Sequence, residues 1–74
     1  MSKKENNQFL YEWQDANLVL PPLNQECVLQ FDTHTFIGIL NDYGAIWCNM
    51  PDNIGARHYY CSIKDGLLTR WKLI

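Results

Sequence analysis

The stretch Cys27-Val28-Leu29-Gln30-Phe31-Asp32-Thr33-His34-Thr35-Phe36-Ile37-Gly38-Ile39-Leu40 decides the fold. In its first half Cys27, Leu29 and Phe31 alternate with Val28, Gln30 and Asp32. A period of two, with one apolar and one mostly polar face, specifies a half-buried strand. Asp32-Thr33-His34-Thr35 supplies turn chemistry, because short polar side chains bond nearby backbone and stabilise a reversal. Residues 36–40 are apolar on both faces, which predicts a central strand, and Gly38 in their middle predicts the close approach of another backbone.

Toward the C-terminus the same rhythm continues. Asn41-Asp42-Tyr43-Gly44 is a second turn, since Asn, Asp and Gly tolerate left-handed backbone, and residues 45–49 read as a third strand. Residues 50–57 form the longest irregular stretch, longer than an ordinary hairpin loop and of the kind where binding side chains concentrate. In residues 58–63, Tyr59, Cys61 and Ile63 share one face and are the expected core set, with His58, Tyr60 and Ser62 on the other. Lys64-Asp65-Gly66 closes a turn. Residues 67–74 give a last strand with Leu67, Trp71 and Leu73 pointing one way and Arg70 and Lys72 the other, as cations that protect an exposed edge.

Toward the N-terminus, Pro21-Pro22 stops any helix and pushes residues 18–23 into a flat connector. Phe9, Leu10 and Trp13 have helical spacing, while Tyr11 and Trp13 equally suit one face of an extended segment. Either way these aromatics are the expected lid, lying across one face of the sheet or plugging one end. Residues 1–8 are a polar leader and an expected flexible tail. The prediction is one small domain over residues 9–74, mostly β, with a β-rich α+β fold as its variant. Its architecture is an antiparallel five-stranded meander, curled or barrel-like, with the N-terminal aromatic segment packed on it as short helix or extended chain.

Composition limits what such a domain does. The 74 residues are 47% hydrophobic, 14% aromatic and 19% charged, outside the apolar-poor, charge-rich range of disordered chains. Net charge is −2 with a pI near 5.4. The basic residues Lys3, Lys4, Arg57, Lys64, Arg70 and Lys72 are scattered, so nucleic acid is an unlikely partner for a chain without a concentrated positive field. No apolar run behind the leader has the make-up of a signal peptide or a bilayer span, which predicts a cytoplasmic protein without a membrane partner.

Cys27, Cys48 and Cys61 are an odd number of widely spaced cysteines, unlike a disulfide framework or a CxxC knuckle, and read as reduced buried thiols. A zinc site drawing on two of them with His34 and His58 would have to converge from scattered single ligands, so no metal or other cofactor is expected. Cys61 and His58 suggest a nucleophile and base, but on a regular strand their odd separation sends them to opposite faces. Asp52 and Asp65 are isolated loop acids rather than a catalytic carboxylate pair. No phosphate-binding glycine loop, HExxH or GxSxG is present, and no catalytic residues are assigned: the expectation is a protein that is not an enzyme.

Trp13, Leu20-Pro21-Pro22, Val28-Leu29, Trp47 and the closing Thr69-Arg70-Trp71-Lys72-Leu73 together resemble family 551 of the domains of unknown function. Its members are small proteins of bacterial and phage or prophage genomes. The likeness runs from Trp13 almost to the end of the chain and implies a small phage-associated domain with no established activity.

A surface is then the functional expectation. Tyr43, Trp47, Asp52, Arg57, His58 and Tyr60 are the candidate protein-binding residues, because Tyr, Trp and Arg dominate the energetics of protein interfaces. Joined to the phage-like resemblance, they point to stoichiometric occlusion of a host or phage protein, for example inhibition of a host defence component. Two alternatives stand beside it. One is a small-ligand or nucleotide-binding β-barrel in which Trp47 and Tyr60 stack on a planar ligand. The other is a structural accessory protein forming a homodimer through its C-terminal edge strand.

Overall fold

A computed structural model describes residues 9–49 and 57–74; the expected tail, residues 1–8, and residues 50–56 of the long loop lie outside the described residues. The chain is mostly β. Its strands are β1 (Gln14–Asp15), β2 (Cys27–Gln30), β3 (Thr35–Leu40), β4 (Ala45–Asn49), β5 (Arg57–Ser62) and β6 (Arg70–Leu73), with a short 3₁₀ helix at Ile63–Asp65. They form one antiparallel sheet in the order β1-β6-β2-β3-β4-β5.

The run β2 to β5 is the expected meander. The last strand departs from it: β6 crosses back and inserts between β1 and β2, with Trp71 opposite both Gln14 and Leu29. The sheet therefore has six strands, not five, because the two-residue β1 pairs with β6. The sheet edges are β1 and β5, so β6 is not an edge strand, and dimerisation through a C-terminal edge has no structural basis. The sheet is curled but not closed into a barrel. Phe31, just after β2, meets Tyr60 on β5 with ring centroids 4.4 Å apart, although two strands lie between them.

The concave side holds the core of Cys27, Leu29, Phe31, Leu40, Ile46, Cys48, Cys61, Leu68 and Trp71, joined by Ala16. Alternation in β2 delivers its residues as expected, and the same alternation in β4 turns Ile46 and Cys48 inward. The connection after the 3₁₀ helix is irregular, so the final segment does not keep strand parity: Leu68 is buried and Leu67, expected inside, is 50% exposed. Thr69 anchors this connection by donating its N–H (2.9 Å) and its hydroxyl (2.8 Å) to the Gln30 carbonyl.

The aromatic N-terminal segment combines both of its expected forms. The Glu12 N–H closes a turn onto the Phe9 carbonyl at 3.2 Å, and the chain then extends into β1. Only Leu10 joins the core; Phe9 is exposed and Trp13 sits beside Arg70 and Lys72, so the segment is not the three-residue lid its spacing suggested. Connector residues 18–23 are held at both ends: the Leu18 and Val19 N–H groups donate to the Asp15 carbonyl at 3.0 Å, the Trp71 indole N–H donates to the Val19 carbonyl at 2.8 Å, and Leu23 bridges to Leu40.

Two glycines do what the sequence requires of them. Gly44 takes φ 79° in the β3–β4 turn, where the Asn41 side chain accepts from the Tyr43 and Ala45 N–H groups at 2.9 and 3.0 Å. Gly38 is the predicted close approach. A Cβ there would lie inside van der Waals contact of the Trp47 carbonyl oxygen and only 3.0 Å from the Cys48 Cα. Both are backbone atoms of the paired strand, so relief requires β3 and β4 to separate. Gly38→Ala is expected to cost about 1–3 kcal/mol, the usual range for overpacking. It would show as a lowered urea midpoint by circular dichroism, and an unchanged midpoint would refute the close approach.

Candidate protein-binding surface

A β-bulge organises the functional side of the sheet. Across β4 and β5, Ile46 faces Cys61 while the next residue, Trp47, faces Tyr59, leaving Tyr60 as the extra residue. A bulge shifts the parity of everything beyond it. Tyr60 accordingly turns toward the concave side and packs against Phe31 and Phe36, with the Phe36 centroid 5.4 Å away. Tyr59, expected in the core, stands on the convex face at 53% exposure with its ring edge-on to Trp47, centroids 5.8 Å apart.

The same shift revises the argument about Cys61 and His58. Their partners Ile46 and Cys48 share one face, so Cys61 and His58 share it too, despite their odd separation. Cys61 is buried and His58 exposed, and no hydrogen bond joins them among the described residues. Burial, with the charge of Asp65 adding to it, pushes the Cys61 thiol up, which opposes the thiolate a nucleophile needs. All three cysteines are free and buried. Among the described residues no group of three or more His, Cys, Asp or Glu side chains is placed to hold a metal ion. His34 lies at the β2–β3 turn, stacked on Phe36.

The other candidates fall in different places. Tyr43 is 94% exposed at the β3–β4 turn. Trp47 is half-buried on the convex face, and Arg57, at the start of β5, is ion-paired with Glu26 just before β2. Asp52 lies outside the described residues. The proposed cluster is therefore divided: Trp47 belongs to one surface, Tyr43 to a turn, and Tyr60 to the rim of the core.

What the convex face brings together is a wider set. Val28 pairs with Ile37, and Ile39, Trp47 and Tyr59 follow in register across β3, β4 and β5. Ile37 is 41% exposed, and among the described residues no element packs over this row. The sequence assigned Arg70 and Lys72 to a solvated face; they are on β6 and both stack on Trp13, at 4.1 and 4.8 Å from its ring centroid. Ile37 and Ile39 were legible only as part of a strand apolar on both sides, and Tyr59 was concealed by the bulge.

A scan against family models and searches of curated proteins and of solved structures find no match for this chain. The likeness to family 551 thus rests on the residues quoted above. Among the described residues no helix is long and apolar enough to cross a membrane.

Proposed function

We propose that this is a small non-enzymatic, cytoplasmic binding protein that occludes a surface of a partner protein with the convex face of its sheet. The observation that carries the reading is the uncovered row Val28, Ile37, Ile39, Trp47 and Tyr59. A contiguous apolar surface, with aromatic anchors at one end, is what a protein interface buries. Stoichiometric occlusion needs area and complementarity rather than a reaction centre, which suits a 74-residue chain. The family resemblance directs the choice of partner toward a host or phage protein, such as a component of host defence.

The test is affinity purification of the tagged protein from bacterial cells, with mass spectrometry of what co-elutes. One partner at a stoichiometric ratio is expected for the wild type. Tyr59→Ala and Ile37→Glu should each release it while leaving the circular dichroism spectrum unchanged, since both side chains are largely outside the core. Removing a central aromatic anchor typically costs 2 kcal/mol or more, about thirtyfold in affinity. Retention of the partner by both folded variants would reject the convex face as the binding surface.

A further inference from the structure

An open cleft of about 430 Å³ lies beside β1, lined by Trp13, Gln14, Asp15, Asn17, Thr69 and Arg70. Its size falls within the range of small-molecule sites, about 300–1,000 Å³. We propose that this cleft binds a neutral, polyhydroxylated six-membered ring, a pyranose sugar. Its C–H face packs on the part of the Trp13 indole that Arg70 and Lys72 leave open, and its hydroxyls bond to Asp15, Asn17, Thr69 and Arg70.

The platform is preorganised. Trp13 is half-exposed, and the Arg70 guanidinium and Lys72 ammonium hold its ring against β6 through cation–π contacts. The polar groups around it retain unused bonding capacity. Asp15 accepts from the Asn17 backbone N–H through Oδ1 at 2.8 Å, and its Oδ2 has no partner among the described residues. Arg70 uses Nε on the Gln30 side chain, at 2.5 Å, leaving its two terminal amino groups without a hydrogen-bond partner among the described residues. Thr69 donates its hydroxyl proton to the Gln30 carbonyl and keeps its lone pairs. The Asn17 amide offers both a donor and an acceptor.

Charge selects the ligand class. Asp15 and Arg70 are cross-strand neighbours in the β1–β6 register, yet they form no ion pair among the described residues. A carboxylate beside a guanidinium repels an anion from one side and a cation from the other. An apolar ligand would strip water from both without replacing it. Adjacent hydroxyls on a neutral ring satisfy both at once, donating to the carboxylate and accepting from the guanidinium, while the ring's C–H face covers the indole.

The test is a ¹H–¹⁵N NMR titration of the full chain with the methyl glycosides of glucose, galactose and mannose and with N-acetylglucosamine, using sodium phosphate as the anionic comparator. At least one pyranose should produce saturable millimolar shifts at the Trp13 indole N–H and the Asn17 amide. Asp15→Asn, at an exposed position, should weaken that binding about tenfold, the loss of one charge-assisted hydrogen bond. Trp13→Ala should abolish it. Tyr59→Ala should leave it intact, because Tyr59 is on β5, at the opposite edge of the sheet from β1. No saturable shift at Trp13 with any of the four sugars, equal binding by Asp15→Asn, or tighter binding of phosphate than of every sugar would overturn the proposal. A trisaccharide that binds more tightly than its terminal sugar assigns a glycan chain; equal binding assigns the free sugar.

Discussion

Trp71→Ala is expected to remove a large share of the protein's stability at 25 °C. The side chain is 1% exposed at the centre of the core, and truncating a buried Trp costs about 3–5 kcal/mol in transfer and cavity terms. A 74-residue domain has about 4–11 kcal/mol to lose. The position adds a second loss. Trp71 stands between Gln14 of β1 and Leu29 of β2, and its indole N–H bonds the Val19 carbonyl at 2.8 Å, one of the ties between the connector and the sheet. Alanine removes the packing and the bond to Val19 together. Urea unfolding followed by far-ultraviolet circular dichroism measures this directly, and a drop under 1 kcal/mol would show that Trp71 is not the keystone of the core. Trp47→Ala is the informative comparison. Trp47 is half-buried on the convex face, and its loss should leave the midpoint much closer to wild type.

The fold's local content was legible because it is set by neighbouring residues. The alternation at Cys27, Leu29 and Phe31, the Asn41 and Gly44 turn chemistry, and the crowding signalled by Gly38 all act within a few residues and are found as expected. The placement of β6 is different in kind. Whether the last strand adds to β5 or crosses to β2 is decided by contacts such as Trp71 with Leu29, some forty residues apart in sequence, which no periodicity encodes. The two-residue β1 was equally hidden. Gln14-Asp15 has no strand-like composition and is extended because β6 pairs with it.

The candidate surface was half legible for one reason. Tyr59 and Tyr60 are identical side chains, and which faces outward depends on where the ladder slips. Bulges marked by glycine announce themselves; this one, between Ile46 and Trp47 opposite Tyr60, carries no glycine. Strict alternation therefore placed Tyr60 on the surface and Tyr59 inside, and the bulge exchanges them. Had the sheet been flat, Tyr60 would stand beyond the reach of Phe31. Curling brings β5 over β2 and gives that ring a place to pack.

Raising the pH through the alkaline range is expected to destabilise the protein steeply, and the buried thiols are the cause. Burial pushes Cys27 up to about 11, and pushes Cys48 up to about 12 with the nearby Cys61 adding to it, from an ordinary value of 9.0. Above pH 9 the unfolded chain releases these protons while the folded chain keeps them. The folded state then binds more protons, so stability falls as pH rises. Each thiol contributes a slope approaching about 1.4 kcal/mol per pH unit, from near pH 9 until its folded value is passed at about 11 or 12. Below pH 8 both states hold protonated thiols and this source of pH dependence vanishes. The measurement is the urea midpoint at intervals between pH 7 and 11 under reducing conditions. Cys48→Ala will lower stability at every pH through the cavity it leaves, so its absolute stability is not the readout. The slope above pH 9 is: it should become shallower by one thiol's share, and a slope identical to wild type would assign the alkaline loss to groups other than Cys48.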